Sequence, residues 1–242
     1  MHPKDMFLQH YKYISDSRLI LPSDITYHPL TSNVNAKKYF ARLRSIMRKK
    51  SVVFTLLTTL TIMFIIEIAT HKMGDEVALL SLGALPASGQ LNGEYWRLIT
   101  YSLLHLNWQH IILNLVALWW LGNLVERRAG STQAAVIYAL GVVLGGIGIW
   151  IGHVLYPSTG STVGASAGIF GLPGAPLILV NRRDAQSFNS SRRPIIGLWI
   201  FLVFSLVISF LPGVSSIGHI GGLIAGLVSG LLVKVKNPAT LN

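Results

Sequence analysis

Residues 217–235 read IGHIGGLIAGLVSGLLVKV, with no acidic residue anywhere in the run and no Lys or Arg before Lys234. As a helix rising 1.5 Å per residue it would be about 28 Å long, close to the ~30 Å hydrocarbon thickness of a bilayer. Two features set it apart from a plain membrane anchor. Gly218, Gly222, Gly226 and Gly230 recur every four residues, which makes one helix face flat enough for a neighbouring helix to approach closely. His219 also places an ionisable imidazole in the run, where burial is costly unless the group has a use.

Working outward, further apolar runs of spanning length occur at about 51–70, 106–125, 131–155, 161–180 and 194–211. Only 12% of the chain is charged, against roughly 25% in soluble domains, and the mean hydropathy is +0.53. The expectation is an all-α, polytopic six-helix membrane bundle spanning residues 51–236. A basic cytoplasmic segment, residues 1–50, precedes it and a short tail, residues 237–242, follows. No apolar stretch of secretory-signal type precedes Ser51, so the first span is expected to stay in the mature chain. Within residues 1–50, the stretch Ala36–Lys50 reads either as a short basic amphipathic helix on the inner leaflet or as a solvated tail.

The twenty Lys and Arg residues give the spans a direction. Ten lie in residues 1–50, and Arg127, Arg128, Arg182, Arg183, Arg192, Arg193, Lys234 and Lys236 occupy alternate connections. Only Lys72 and Arg97 fall on the other side. By the positive-inside rule both termini are cytoplasmic, and the second, fourth and sixth spans enter from the outer face. The same rule accounts for the pI near 10.1 through lipid headgroups rather than nucleic acid. The long 71–105 connection carries Tyr95, Trp96 and Tyr101, side chains that favour the headgroup layer, and is expected to lie partly in the outer leaflet.

Polar groups within the runs are few: Glu67, His110, Asn114, His153, Ser166 and His219. His110 and Asn114 share a helix face, with His105 just before them. Because spans two, four and six all start outside, Ser166, His219, His110 and Asn114 are expected to meet at one depth. From Ser166 to Arg182 there is only about 22–24 Å of helix, which sets Ser166 below the outer surface. A serine at a helix start has unpaired backbone N–H groups and the positive end of the dipole beside it, and a neutral histidine within about 3 Å would activate it. The chain has no Cys, which excludes thiolate catalysis, disulfides and Cys-based metal sites. It has no HExxH motif and no intramembrane Asp pair, and no acidic residue is placed to complete a triad. The residues therefore point to a Ser166–His219 dyad, with His110, Asn114 and the Ser166 amide as oxyanion donors, and to no metal or organic cofactor. Glu67 is expected to snorkel or pair near the outer interface, and His153 to be interfacial.

Several of these residues, in order, resemble the rhomboid intramembrane proteases over roughly Gly93 to Lys234. Trp96-Arg97 looks like the family's first-loop pair, and His105, His110 and Asn114 look like its second-helix motif. Glu126 and Arg128 resemble an anchoring Glu-x-Arg at that helix's inner end. Gly164-Ala165-Ser166 looks like the nucleophile motif, and Gly218-His219-Ile220-Gly221-Gly222 like the base motif. The resemblance implies a six-helix bundle with a short fourth helix and a water-filled cavity open to the outer side. It implies cleavage of transmembrane protein substrates near their outer ends, and a gate at Ile195–Ser215. The chain departs from the family at Ala167, where the motif has glycine and an added methyl is expected to crowd the cavity or strain the backbone. It also carries Pro173 and Pro176, expected to bend the fourth helix. These departures motivate a second reading, a weak or inactive relative that binds membrane clients. A third, a proton-coupled transporter, lacks an inverted repeat and acidic relay groups.

Overall fold

The computed structural model describes residues 51–179, 192–210 and 213–232. The expectations for residues 1–50, for the basic loop containing Arg182 and Arg183, for Lys234 and Lys236, and for the 237–242 tail lie outside them.

Helix α1, Val52–Ala69, begins where the Ser51 side chain accepts a hydrogen bond from the Phe54 amide, and it ends at Thr70. Its buried residues, Val53, Leu60, Phe64 and Glu67, form one stripe, while Phe54, Ile62 and Ile65 on the other side are exposed. A helix with a mean hydropathy of 2.3 and so little of it buried is apolar on the face it presents to its surroundings. Helix α3, Ser131–Leu155, is likewise long and apolar enough to cross a membrane. Between α1 and α3 lies α2, which starts as Trp108–Ala117, passes through a π turn at Leu118–Gly122 and continues as Asn123–Ala129. The Asn107 side chain caps it by accepting from the His110 amide. Helices α4, Ser166–Leu179, α5, Arg192–Ile208, and α6, Ser216–Leu232, complete the described bundle.

Helix α4 is the centre of the packing. Ala165, Ala167, Ile169, Phe170, Leu172 and Ala175 are all buried. It is clasped between α3 and α6 by backbones that approach closely. A β-carbon on Gly222 would run into the Ala167 carbonyl, and one on Gly226 into the carbonyl of Gly171. On the opposite flank, a β-carbon on Gly141 would lie 2.9 Å from the Ala167 oxygen. The flat surface on α4 facing α6 therefore runs Ala167–Gly171–Gly174, since Gly168 lies against the Tyr138 ring and Gly164 against His110. Gly164 and Gly168 form no part of that surface.

The structure alters the expected fourth run, 161–180, at its start. Ser161 and Thr162 pair antiparallel with Pro86 and Leu85 in a two-residue bridge, and the helix begins only at Ser166. The two prolines stand inside an α4 that is helical throughout Ser166–Leu179, so neither ends it. The 71–107 connection is folded as well. Arg97 donates to the carbonyls of Leu80 and Ala84 and pairs with Glu94, Thr100 donates to the Gly83 carbonyl, and Trp150 reaches in from α3 to the Gly89 carbonyl. Glu67 does not snorkel: it is fully buried and accepts from the His105 amide at 3.1 Å. The reason is the return of the connection over the end of α1, which closes the route to the interface.

Just beyond the second apolar run, at the end of α2 remote from Asn107, Glu126 ties three segments together. It accepts from Ser51 Oγ at 2.9 Å, from the amides of Val52 and Val53, and from Ser131 Oγ at 2.5 Å. One carboxylate thus takes the unpaired amides at the start of α1 and the Ser131 hydroxyl that opens α3. Burial works against its charge, but the hydrogen bonds from Ser131, Ser51, Val53 and Val52 outweigh it and hold the carboxyl below the usual value. A depressed carboxyl contributes stability that is complete above the ordinary Glu value of about 4.3 and is lost as pH falls through the lower folded value. Glu126→Ala is therefore expected to reduce stability by about 1–2 kcal/mol at neutral pH, with the difference from wild type shrinking below about pH 4. Thermal unfolding in detergent micelles across that range is the measurement, and a pH-independent difference would remove the charge from the explanation.

Candidate active site

Ser166 and His219 stand 53 residues apart in the chain, and Ser166 Oγ lies 2.8 Å from His219 Nε2. Ser166 is the first residue of α4, where the amides of the opening turn have no partner one turn back. His219 lies in the first turn of α6, one turn before Gly222, and Gly222 rests on the residue after Ser166. The glycine contact thus sets the distance across which the dyad meets. The His219 ring is buried and stacks flat on Phe170, with ring centroids 4.1 Å apart and planes 9° apart. Its Nδ1 is 2.5 Å from the hydroxyl of Ser209, just past the end of α5.

The approach to Ser166 is shaped by Gly164, whose φ of +132° is strained for any residue with a side chain. A β-carbon there would come within 2.7 Å of the His110 imidazole, so His110 lies directly against the loop leading to the serine. The Gly164 amide donates to the Tyr101 carbonyl at 3.0 Å, and the Tyr101 hydroxyl donates to the Val142 carbonyl at 2.9 Å. The folded 71–107 connection and α3 therefore hold the serine loop in place. Asn114 is buried and donates from Nδ2 to the His110 carbonyl at 3.0 Å, and its amide group keeps a second hydrogen.

His105 is buried edge-on to His110, with centroids 5.0 Å apart, and neither of its ring nitrogens has a partner among the described residues. Trp96 and Arg97 lie apart from the dyad: the Arg97 guanidinium sits 4.6 Å from the centre of the Trp96 ring and organises the connection. Glu126 and Arg128 are at the far end of α2, with Glu126 stapling helix starts. His153 is half-buried, its Nε2 2.8 Å from Thr162 Oγ1. Three contributors have no place at the site in the sequence; Tyr101, expected in the headgroup layer, is instead buried because its hydroxyl is drawn to the Val142 carbonyl. Phe170 was legible, because four residues after Ser166 it must share that face of α4. Tyr101 and Ser209 carried no signal, being an aromatic in a long connection and one serine among several at an apolar helix end.

Ala167, the departure from the glycine of the motif, is accommodated. It is buried, and its methyl faces α3 at Gly145, where an added β-carbon would lie 2.5 Å away. The missing side chain on α3 makes the room that the serine-adjacent methyl takes up. Gly145→Ala is expected to lower stability by about 1–3 kcal/mol through overpacking. The double variant Gly145→Ala/Ala167→Gly should recover part of that loss, with the Gly218 carbonyl, 3.0 Å from the same added carbon, limiting the recovery. A double-mutant cycle of unfolding midpoints measures the coupling, and strict additivity would show that the two positions do not meet.

Residues 92–236 match the family model of the rhomboid domain. The chain is 36% identical over 166 residues to rhomboid protease GluP of Bacillus subtilis (strain 168), a match covering 67% of this chain and 31% of GluP. It is 35% identical over 150 residues to putative rhomboid protease YdcA of the same organism, covering 61% of this chain and 72% of YdcA. The chain thus spans less than a third of the length of the first relative and most of the second.

Proposed function

The chain belongs to the rhomboid family, and from that premise we propose that it is an intramembrane serine endopeptidase working through a Ser166–His219 dyad. The observation that carries the reading is the 2.8 Å contact between Ser166 Oγ and His219 Nε2, made between two apolar helices. Two relatives named as rhomboid proteases, one of them putatively, support it.

In this reading His219 Nε2 takes the hydroxyl proton as Ser166 Oγ attacks the scissile carbonyl carbon. The oxygen of the tetrahedral intermediate is met by the Ser166 amide at the start of α4, by His110 and by the free hydrogen of the Asn114 amide. His219 then gives its proton to the departing amine, and water, activated by the same imidazole, releases the acyl group from Ser166. The proposed cycle uses groups of this chain and water, with no metal or organic cofactor.

The substrates proposed are transmembrane segments of other proteins, cut near their outer ends. Small or polar residues should mark them, since an intact helix shields its peptide bonds. The apolar runs and the distribution of Lys and Arg support six spans with both termini on the cytoplasmic side, the Bacillus subtilis relatives support a bacterial cytoplasmic membrane, and the proposed hydrolysis requires a polar cavity, placed at the outer side. At about 21 Å, the fourteen residues of α4 are shorter than the hydrocarbon core, which supports a serine set below the surface. The competing reading, a non-proteolytic binder of membrane clients, rested on Ala167 and the two prolines. The notch at Gly145 and the unbroken α4 weaken both grounds.

The test is covalent labelling by a fluorophosphonate together with cleavage of a model transmembrane substrate in liposomes. Wild type should label and cleave, Ser166→Ala should do neither, and His219→Ala should lose about 10³-fold or more. Asn114→Ala should lower kcat by roughly 10²-fold with the serine intact. Labelling that is as fast in His219→Ala as in wild type would refute the dyad.

A further inference from the structure

We propose that Ser209 is a third, positioning member of the site, holding His219 in the one tautomer that can act as a base; the proposal rests on the protease reading above. His219 has two ring nitrogens, and only a ring that carries its proton on Nδ1 leaves the Nε2 lone pair free to take a proton from Ser166. In serine hydrolases that choice is commonly enforced by a buried carboxylate. Among the described residues no acidic side chain contacts His219, and the group at Nδ1 is the Ser209 hydroxyl, 2.5 Å away.

A neutral hydroxyl can do the carboxylate's job only if it is forced to accept. Ser209 is so forced, because it has one proton and donates it to the Ser205 carbonyl one turn earlier, at 2.7 Å. Towards Nδ1 it therefore offers a lone pair, and the imidazole must supply the hydrogen. The chain of donors runs from Ser166 Oγ to His219 Nε2, and from His219 Nδ1 through Ser209 Oγ to the Ser205 carbonyl, each group satisfied once.

Ser209 is well placed to be selective. It is 1% exposed, so water does not compete for Nδ1. Its own backbone is fixed from the other side, where Ser216 Oγ at the head of α6 donates to the Ser209 carbonyl at 2.5 Å. Phe170 closes one face of the imidazole by stacking. Rotation of the ring is thus blocked by Phe170, and the position of its proton is set by Ser209. Because Ser209 follows α5 whereas the dyad sits on α4 and α6, the proton of the base is fixed on Nδ1 only while the end of α5 is seated against α6.

The experiment compares wild type, Ser209→Ala and Ser209→Thr as full-length protein in liposomes, with two readouts. On a transmembrane substrate, Ser209→Ala should lower kcat about tenfold with KM within about twofold, the loss of one neutral hydrogen bond. Ser209→Thr, which keeps the hydroxyl, should stay within about threefold of wild type. In parallel, nitrogen NMR of histidine-labelled protein in micelles, with His219 assigned through His219→Gln, reports the tautomer without needing activity. Wild type and Ser209→Thr should show a protonated Nδ1, and Ser209→Ala a mixture. An unchanged kcat in Ser209→Ala, a loss that Ser209→Thr fails to rescue, or an Nε2-protonated ring in wild type would each overturn the proposal. If wild type neither labels nor cleaves, the protease reading fails while the tautomer readout still decides the role of Ser209.

Discussion

Backbone-to-backbone contact between α4 and α6 is the constraint on which the site depends. Gly222 and Gly226 lie so close to the carbonyls of Ala167 and Gly171 that no side chain fits between the helices. In an apolar solvent such packing, rather than the hydrophobic effect, holds helices together, and small residues are what permit it. Its consequence is chemical. Ser166 immediately precedes Ala167, and His219 is one helical turn before Gly222, so the register that seats the glycine also brings the hydroxyl to the imidazole. A larger residue at Gly222 would push the Ser166 hydroxyl and the His219 imidazole apart along with the backbones.

The serine end of that contact is organised from three sides, each by a different device. The Tyr101 carbonyl takes the Gly164 amide, the positive φ of Gly164 turns the chain into α4, and the open notch at Gly145 receives the Ala167 methyl. The arrangement explains why a long connection that contributes no reacting atom is so thoroughly hydrogen-bonded. Arg97, Thr100 and Trp150 hold it folded and tied to α3 so that the Tyr101 carbonyl stays where the serine loop needs it. Rigidity at the serine is thus borrowed from the connection rather than generated within α4, whose glycines and prolines give it little intrinsic helical preference.

Much of this was legible in the sequence, for a physical reason. Apolar runs leave few places for polar residues, so Ser166, His219, His110 and Asn114 stand out against their background, and the four-residue glycine period identifies the packing face of α6. What was not legible depends on where chain segments return. Glu67 looked free to reach the interface because its burial is produced by a backbone amide 38 residues later, that of His105. The apolar run at 161–180 begins five residues ahead of α4, whose start at Ser166 is as expected; composition alone does not reveal that Ser161 and Thr162 bridge to Pro86 and Leu85. The π turn at Leu118–Gly122 has no distinguishing composition at all.

Ser209 belongs to the same class, and it shows how a site can be complete without looking so. Reading only residue types, the absence of an acidic partner for His219 suggests a two-member site. The geometry instead supplies a partner whose acceptor character is not intrinsic: a serine hydroxyl can donate or accept, and it is the Ser205 carbonyl that removes the choice. A neutral partner also suits the surroundings. A carboxylate in this position would bring a buried charge into an apolar bundle and would have to be offset by further polar groups. A hydroxyl backed by the helix's own carbonyl does the orienting with no net charge, at the expense of the extra stabilisation that a carboxylate gives to a protonated imidazole.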